Sequence, residues 1–182
     1  MSVTNPAGFR AAGVTAGLKS SGAPDMALVV NDGPSFANAT VFTSNRCKAN
    51  PVLWSEQVVK DGIVQAVVLN SGGANCYTGA EGFQTTHATA EKVAAHINAG
   101  AGDIVVCSTG LIGVANLRET LLDGVDALAA GLSTDGGADA AIAIMTTDTV
   151  SKQVVVQRDG WSIGGMAKGA GMLAPALATM LV

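Results

Sequence analysis

Hydrophobic and polar positions divide the chain into short β-rich runs and longer helical stretches. Ala27-Leu28-Val29-Val30 and Ala39-Thr40-Val41-Phe42-Thr43 predict two strands joined by the turn-prone Asn31-Asp32-Gly33-Pro34. Pro51 to Lys60 predicts a short helix, with proline in its first turn and Gly62 past its end. Ile63 to Leu69 is a β-rich apolar run suited to a buried strand, and it leads directly into Asn70-Ser71-Gly72-Gly73-Ala74-Asn75. From Thr85 to Asn98 the spacing of Ala90, Val93, Ala94 and Ile97 predicts an amphipathic helix, with Gly100 following it. Asp103 to Cys107 predicts another strand, and Ser108-Thr109-Gly110-Leu111-Ile112-Gly113 follows. Asn116 with Glu119 has the form of a capping box, ahead of a stripe of Leu117, Leu121, Val125 and Leu128. Gln153 to Gln157 and Trp161 to Gly165 predict a hairpin across Arg158-Asp159-Gly160. Strands alternating with helices point to a layered α/β fold.

Composition narrows the function classes. A length of 182 residues suits one domain, or one and a half. With 48% hydrophobic and 13% charged residues the chain has ample apolar surface to bury, which excludes disorder. Ten basic against 14 acidic residues give a net charge of -4, without the basic excess that binding nucleic acid requires. Aromatic residues are only 4%, so Val, Leu, Ile and Ala must build the core, with Met166, Met172 and Met180 as gap fillers. Met1 to Pro6 has no basic-then-apolar signal pattern, and no uncharged apolar run reaches the roughly 18 residues of a membrane span. A cytoplasmic protein without a membrane partner is the expectation. Cys47, Cys76 and Cys107 match no zinc spacing and read as free thiols. His87 and His96 are not at the i,i+4 spacing of a helical metal pair, so no metal is expected. The chain stops within the apolar Ala178-Thr179-Met180-Leu181-Val182, which reads as a cut.

Candidate chemistry lies in three places. The Gly-rich segments after the predicted strands, Asn70–Asn75 and Ser108–Gly113, lack dinucleotide and Walker spacing. They suit either tight turns or backbone N–H groups aimed at an anion or oxyanion. Met145-Thr146-Thr147-Asp148-Thr149 gathers three hydroxyls and a carboxylate before a strand, a pattern equally suited to a turn. Lys168 is the only charged residue between Asp159 and the end, in a Gly-rich apolar setting that suits a lysine holding a carboxylate. Thr179 follows a small residue, which leaves room for attack on the preceding carbonyl.

The run Lys168-Gly-Ala-Gly-Met-Leu-Ala-Pro-Ala-Leu-Ala-Thr179-Met-Leu resembles the self-cleavage and nucleophile motif of the ornithine acetyltransferase (arginine biosynthesis bifunctional protein) family. The resemblance covers almost the whole chain. Gly8-Phe9-Arg10-Ala11-Ala12-Gly13 is similar to the family's opening, and Val41-Phe42-Thr43-Ser44-Asn45 to its second strand. Asn70–Asn75 and Ser108–Gly113 resemble its active-site loops, and Ala143 to Thr149 its Thr-rich substrate segment. Two stretches depart from the pattern: Asn116-Leu117-Arg118 stands where Leu-Pro-Met is usual, and Cys76-Tyr77 where Ala-Cys is usual.

The resemblance implies a layered α/β sandwich of the self-cleaving ornithine acetyltransferase type, N-terminal half only. Residues 1–178 would be the α-chain domain and 179–182 the start of the β chain. A precursor would cleave itself between Ala178 and Thr179. The freed Thr179 would be the nucleophile, taking acetyl from N-acetylornithine and passing it to glutamate, with its own α-amine as base. Thr109 and Gly110 match the oxyanion-stabilising positions, and Thr146 and Lys168 the substrate-binding ones. No cofactor is implied, though bifunctional members also use acetyl-CoA. The partner would be the β chain, in an α2β2 assembly, and the α part by itself would be inactive. Two other readings stay open: a non-catalytic ligand-binding fragment, and an aminopeptidase of the related self-cleaving fold, which the Lys-Gly-x-Gly-Met and Ser-Thr-Gly-Leu-Ile-Gly motifs disfavour.

Overall fold

Alternate residues of one central strand face two different cores, and this sets the layering. The computed structural model describes residues 2–173 and 177–182. Strands β1 (Phe9–Val14), β2 (Met26–Asn31), β3 (Ala66–Asn70) and β4 (Ile104–Ser108) form one sheet in that order. The β1–β2 and β2–β3 pairs are antiparallel; β3 and β4 are parallel. On β2, Met26, Leu28 and Val30 point to one face and Ala27 to the other.

The first face is covered by three helices: α1 (Asn50–Val58), α2 (Gly79–Ile97) and α3 (Arg118–Gly131). Ala90, Val93 and Ala94 of α2 and Leu121, Val125 and Leu128 of α3 are buried there with Val68, Ile104 and Val106. Trp54 and Ser55 of α1 bond to the Ile104 and Val106 carbonyls of β4, at 3.0 and 2.9 Å. The second face carries the short α4 (Gly137–Ala143), with Ala140, Ala141, Ala143 and Ile144 packed on Ala11, Ala27 and Leu69. A separate hairpin, β5 (Lys152–Arg158) and β6 (Trp161–Ala167), contributes Met166 to this second core.

Several sequence expectations need correction. Ala39–Thr43 is not a strand: it pairs with nothing as a ladder, and Val41 is 96% exposed. The partner of β2 on that side is instead β1, whose small residues gave no strand signal. The predicted strand from Ile63 begins only at Ala66, with Ile63 in an isolated bridge to Ala37. Helix α2 starts at Gly79, earlier than Thr85, and its expected end holds: Asn98 caps it in a left-handed conformation with φ 56°. Asn116 does not cap α3; the cap position is Leu117, outside the helical stripe and 70% exposed. Met172 and Met180 are 67% and 53% exposed, so among the three methionines proposed as gap fillers only Met166 is buried. Helix α4, with no apolar periodicity, escapes sequence reading altogether. It packs so tightly that a Cβ on Gly13 would lie 2.2 Å from the Asp139 carbonyl oxygen, which demands small residues on both sides.

Candidate active site

Parallel pairing of β3 and β4 brings the two Gly-rich loops together, because both strands end at the same edge. Asn70 and Ser108 are register partners, and the Asn70 amide donates to the Ser108 hydroxyl at 2.6 Å. The Thr109 N–H donates to the Asn70 carbonyl at 2.9 Å, and the Ala74 N–H to that of Leu111 at 2.8 Å. Gly110 has φ +124°, and a Cβ there would stand 2.9 Å from backbone atoms of Gly72 and Gly73. Glycine is therefore required on steric and conformational grounds together. Asn116 ties the pair from outside, its amide donating to the Gly73 carbonyl at 3.2 Å and to Asn70 Oδ1 at 3.4 Å. The residue read as a helix cap is a loop brace, which sequence spacing could not reveal.

At the end of β6, Lys168 enters this edge. It is 3% exposed, and Thr109 2%. Lys168 Nζ donates to Thr109 Oγ1 at 3.0 Å, to Thr146 Oγ1 at 2.8 Å and to the Thr179 carbonyl at 3.3 Å. An ammonium has three N–H bonds, so these three oxygens use all of them. Because each threonine hydroxyl accepts from Lys168, its own proton remains available to donate outward. Burial pushes the Lys168 ammonium below its ordinary value, Asp148 opposes that shift, and the Lys152 and Lys19 charges add to it.

The backbone of Lys168 pairs with Leu181 through two bonds of 2.9 and 3.2 Å, which returns the Ala178–Thr179 peptide to the cluster. Met172, left-handed at φ 56°, helps turn the chain, its carbonyl accepting from the Leu177 and Ala178 N–H groups, each at 3.2 Å. Ala174, Pro175 and Ala176 of the C-terminal motif lie outside the described residues.

Two further charges support the cluster. The Asp148 side chain has no exposed surface. Its carboxylate accepts from the Gly169 N–H at 2.8 Å, the Thr146 N–H at 3.3 Å and the Lys152 ammonium. Burial pushes this carboxyl up, but those three donors outweigh it and bring it down to about 2. Lys19 donates to the Pro24 carbonyl at 2.7 Å and to the Met145 carbonyl at 2.8 Å. Its loop is braced by fully buried Asp25, which accepts from the N–H groups of Ala16, Gly17, Leu18 and Lys19 at 2.6–3.1 Å. Neither Lys19 nor Asp25 carries a sequence signal, since the partners are main-chain groups.

Thus Thr109, Thr146, Lys168 and Thr179, chosen from sequence, converge within hydrogen-bond distance of one ammonium. Gly110 lies beside Thr109 on the exposed rim. The histidines lie elsewhere: His96 bonds to Asp126 at 2.6 Å, and His87 stacks on Trp54 with centroids 4.8 Å apart. All three cysteines are free.

Comparison with known proteins gives a consistent picture. The ArgJ family model matches residues 10–182. The arginine biosynthesis bifunctional protein ArgJ of Streptomyces coelicolor is 68% identical over 182 residues, the whole of this chain and 48% of that protein. The protein of the same name from Thermobifida fusca is 62% identical over 181 residues, covering all of this chain and 47% of its own length. This chain therefore spans about half the length of the curated relatives it matches. Among solved structures, ornithine acetyltransferase complexed with ornithine from Mycobacterium tuberculosis superimposes with a TM-score of 0.94 at 54% identity, over 99% of this chain and 96% of that one. The arginine biosynthesis bifunctional protein argJ of Bacillus halodurans gives 0.85 at 30% identity, over 100% and 95%.

Proposed function

The chain belongs to the ArgJ family, and from that premise we propose that it is the α part of an acetyltransferase that moves acetyl from N-acetylornithine to glutamate. The observation that carries this reading is the single ammonium of Lys168 bonded at once to Thr109, Thr146 and the Thr179 carbonyl. On this reading Thr179, the oxyanion-stabilising positions and a carboxylate-binding cation would share one site. The mycobacterial ornithine acetyltransferase, which superimposes on almost all of this chain, supports the reading. Length supports two chains: the curated relatives are about twice as long, whereas the crystallised chains are matched over 95–96% of their length.

The chemistry follows in two stages. In the first, Thr179 Oγ attacks the Ala178 carbonyl carbon and displaces the peptide nitrogen, giving an ester. Water hydrolyses that ester, leaving the Ala178 carboxylate and a free Thr179 α-amine. In the second, that amine takes the Oγ proton while Oγ attacks the acetyl carbonyl of N-acetylornithine. The Thr109 hydroxyl, polarised by Lys168, and the Gly110 N–H stabilise the oxyanion. Collapse expels ornithine, whose leaving nitrogen takes the proton back, and acetyl-Thr179 remains. The glutamate amine attacks this ester, forming N-acetylglutamate and restoring the hydroxyl. Thr146 and Lys168 orient the substrate; for Lys168 to take a carboxylate, one of its three present acceptors must yield, and the 3.3 Å bond to the Thr179 carbonyl is the longest. The rest of the site, the β chain and an α2β2 assembly belong to the same proposal, as does a cytoplasmic location.

Intact-mass analysis of the full-length protein tests this reading. Two fragments parted between Ala178 and Thr179 are expected, with one acetyl group on the Thr179 peptide after incubation with N-acetylornithine. Thr179→Ala should remain a single unacetylated chain. A parent protein that stays whole and takes no acetyl group would favour an inert ligand-binding module.

A further inference from the structure

We propose that Lys19 and Asp148 clamp the Met145–Thr146 peptide from its two ends and act as positioning residues for Thr146 and Lys168. This rests on the acetyl-transfer reading of the site. The Met145 carbonyl and the Thr146 N–H belong to one planar unit. Lys19 Nζ donates to that carbonyl at 2.8 Å, and that N–H donates to Asp148 Oδ2 at 3.3 Å. A cation therefore sits at the negative end of a single peptide dipole and an anion at its positive end, which makes both bonds charge-assisted.

The Cα of Thr146 is a corner of this plane, so tilting the plane moves Thr146 Oγ1, which lies 2.8 Å from Lys168 Nζ. The other oxygen of Asp148 takes the Gly169 N–H at 2.8 Å, immediately after Lys168. One carboxylate thus fixes the backbone on both sides of the Thr146–Lys168 bond. Lys19 is held by the Pro24 carbonyl on a loop whose amides surround buried Asp25, so the clamp is anchored to the β1–β2 connection. Burial lowers the Lys19 ammonium below its ordinary value, and the Asp25 charge opposes that shift.

The test uses the full-length protein with Lys19→Met, Asp148→Asn, the double variant and Lys19→Arg. Each of the first two should lose roughly tenfold or more in kcat/KM for N-acetylornithine, as expected when a reacting geometry is loosened without removing a contact to substrate. The double variant should be no slower than the slower single, because both act on one peptide, and Lys19→Arg should recover most of the parent rate. The Thr146 amide should exchange hydrogen faster in both single variants. Losses that multiply in the double variant, parent-like kinetics in a folded Lys19→Met, or a Thr146 amide as protected in Lys19→Met as in the parent would each overturn the clamp. If Asp148→Asn does not fold, the Lys19 pair and the amide measurement decide. A parent that transfers no acetyl group would sink the transfer reading instead, and amide exchange alone then decides the clamp.

Discussion

Lys168 and Asp148 show how individual residues trade burial against partners. Lys168 is buried because every N–H of its ammonium finds an oxygen; Asp148 is buried because N–H groups and an ammonium surround it. The sign of the pH effect follows. The Asp148 carboxyl falls from its ordinary 3.8 to about 2 in the folded chain, so it favours folding fully above 3.8 and loses that contribution as pH drops towards 2. Urea midpoints measured across this window should fall steeply for the parent and less steeply for Asp148→Asn, which has no charge to lose. Equal slopes would show that Asp148 contributes nothing to acid lability. Sequence reading reached Lys168 because an isolated charge in an apolar run stands out. It noticed Asp148 but could not separate a turn from a site. It could not reach Lys19, whose partners are main-chain carbonyls, one of them 126 residues away.

Among the elements, those with strong periodicity were legible and those built from small residues were not. The buried stripes of α2 and α3 lie where spacing placed them, because one apolar stripe dictates one packing face. Strand β1 and helix α4 were missed because Ala and Gly carry no periodic signal, although close approach between them depends on that smallness. Ala39–Thr43 misled because β-branched residues describe a propensity and not a partner. The loops after β3 and β4 were recognisable by composition, but their contact depends on parallel pairing, which only the sheet reveals. Asn116 joins them, so Asn116→Ala should cost about 1–2 kcal/mol by leaving two acceptors unmatched. It should also reduce transfer more than stability, because Gly110 sits where the loops touch; urea denaturation beside kcat would show the split. A stability loss with unchanged kcat would make Asn116 a fold residue only.

Seen as a whole molecule, the chain leaves large apolar side chains uncovered around the site's sequence segments. Leu111, Ile112, Val114 and Leu117 lie between 55% and 70% exposed, and Leu177, Met180 and Val182 between 53% and 94%. In the proposed two-chain enzyme the β chain would cover such side chains. The 182-residue chain prepared by itself should self-associate and bind a hydrophobic dye, and the full-length protein should do neither; sedimentation and dye fluorescence would check both. A monodisperse, dye-silent chain would mean these side chains need no cover. Among the described residues no helix is long and apolar enough to cross a membrane. If the Ala178–Thr179 bond is cut as proposed, the Lys168–Leu181 bridge takes on a different consequence. Its two hydrogen bonds would then join separate polypeptides. Folding, first order for an uncut chain, would become second order for a cut pair. One hydrolysed bond would thus turn a structure that can re-form by itself into one whose recovery depends on concentration.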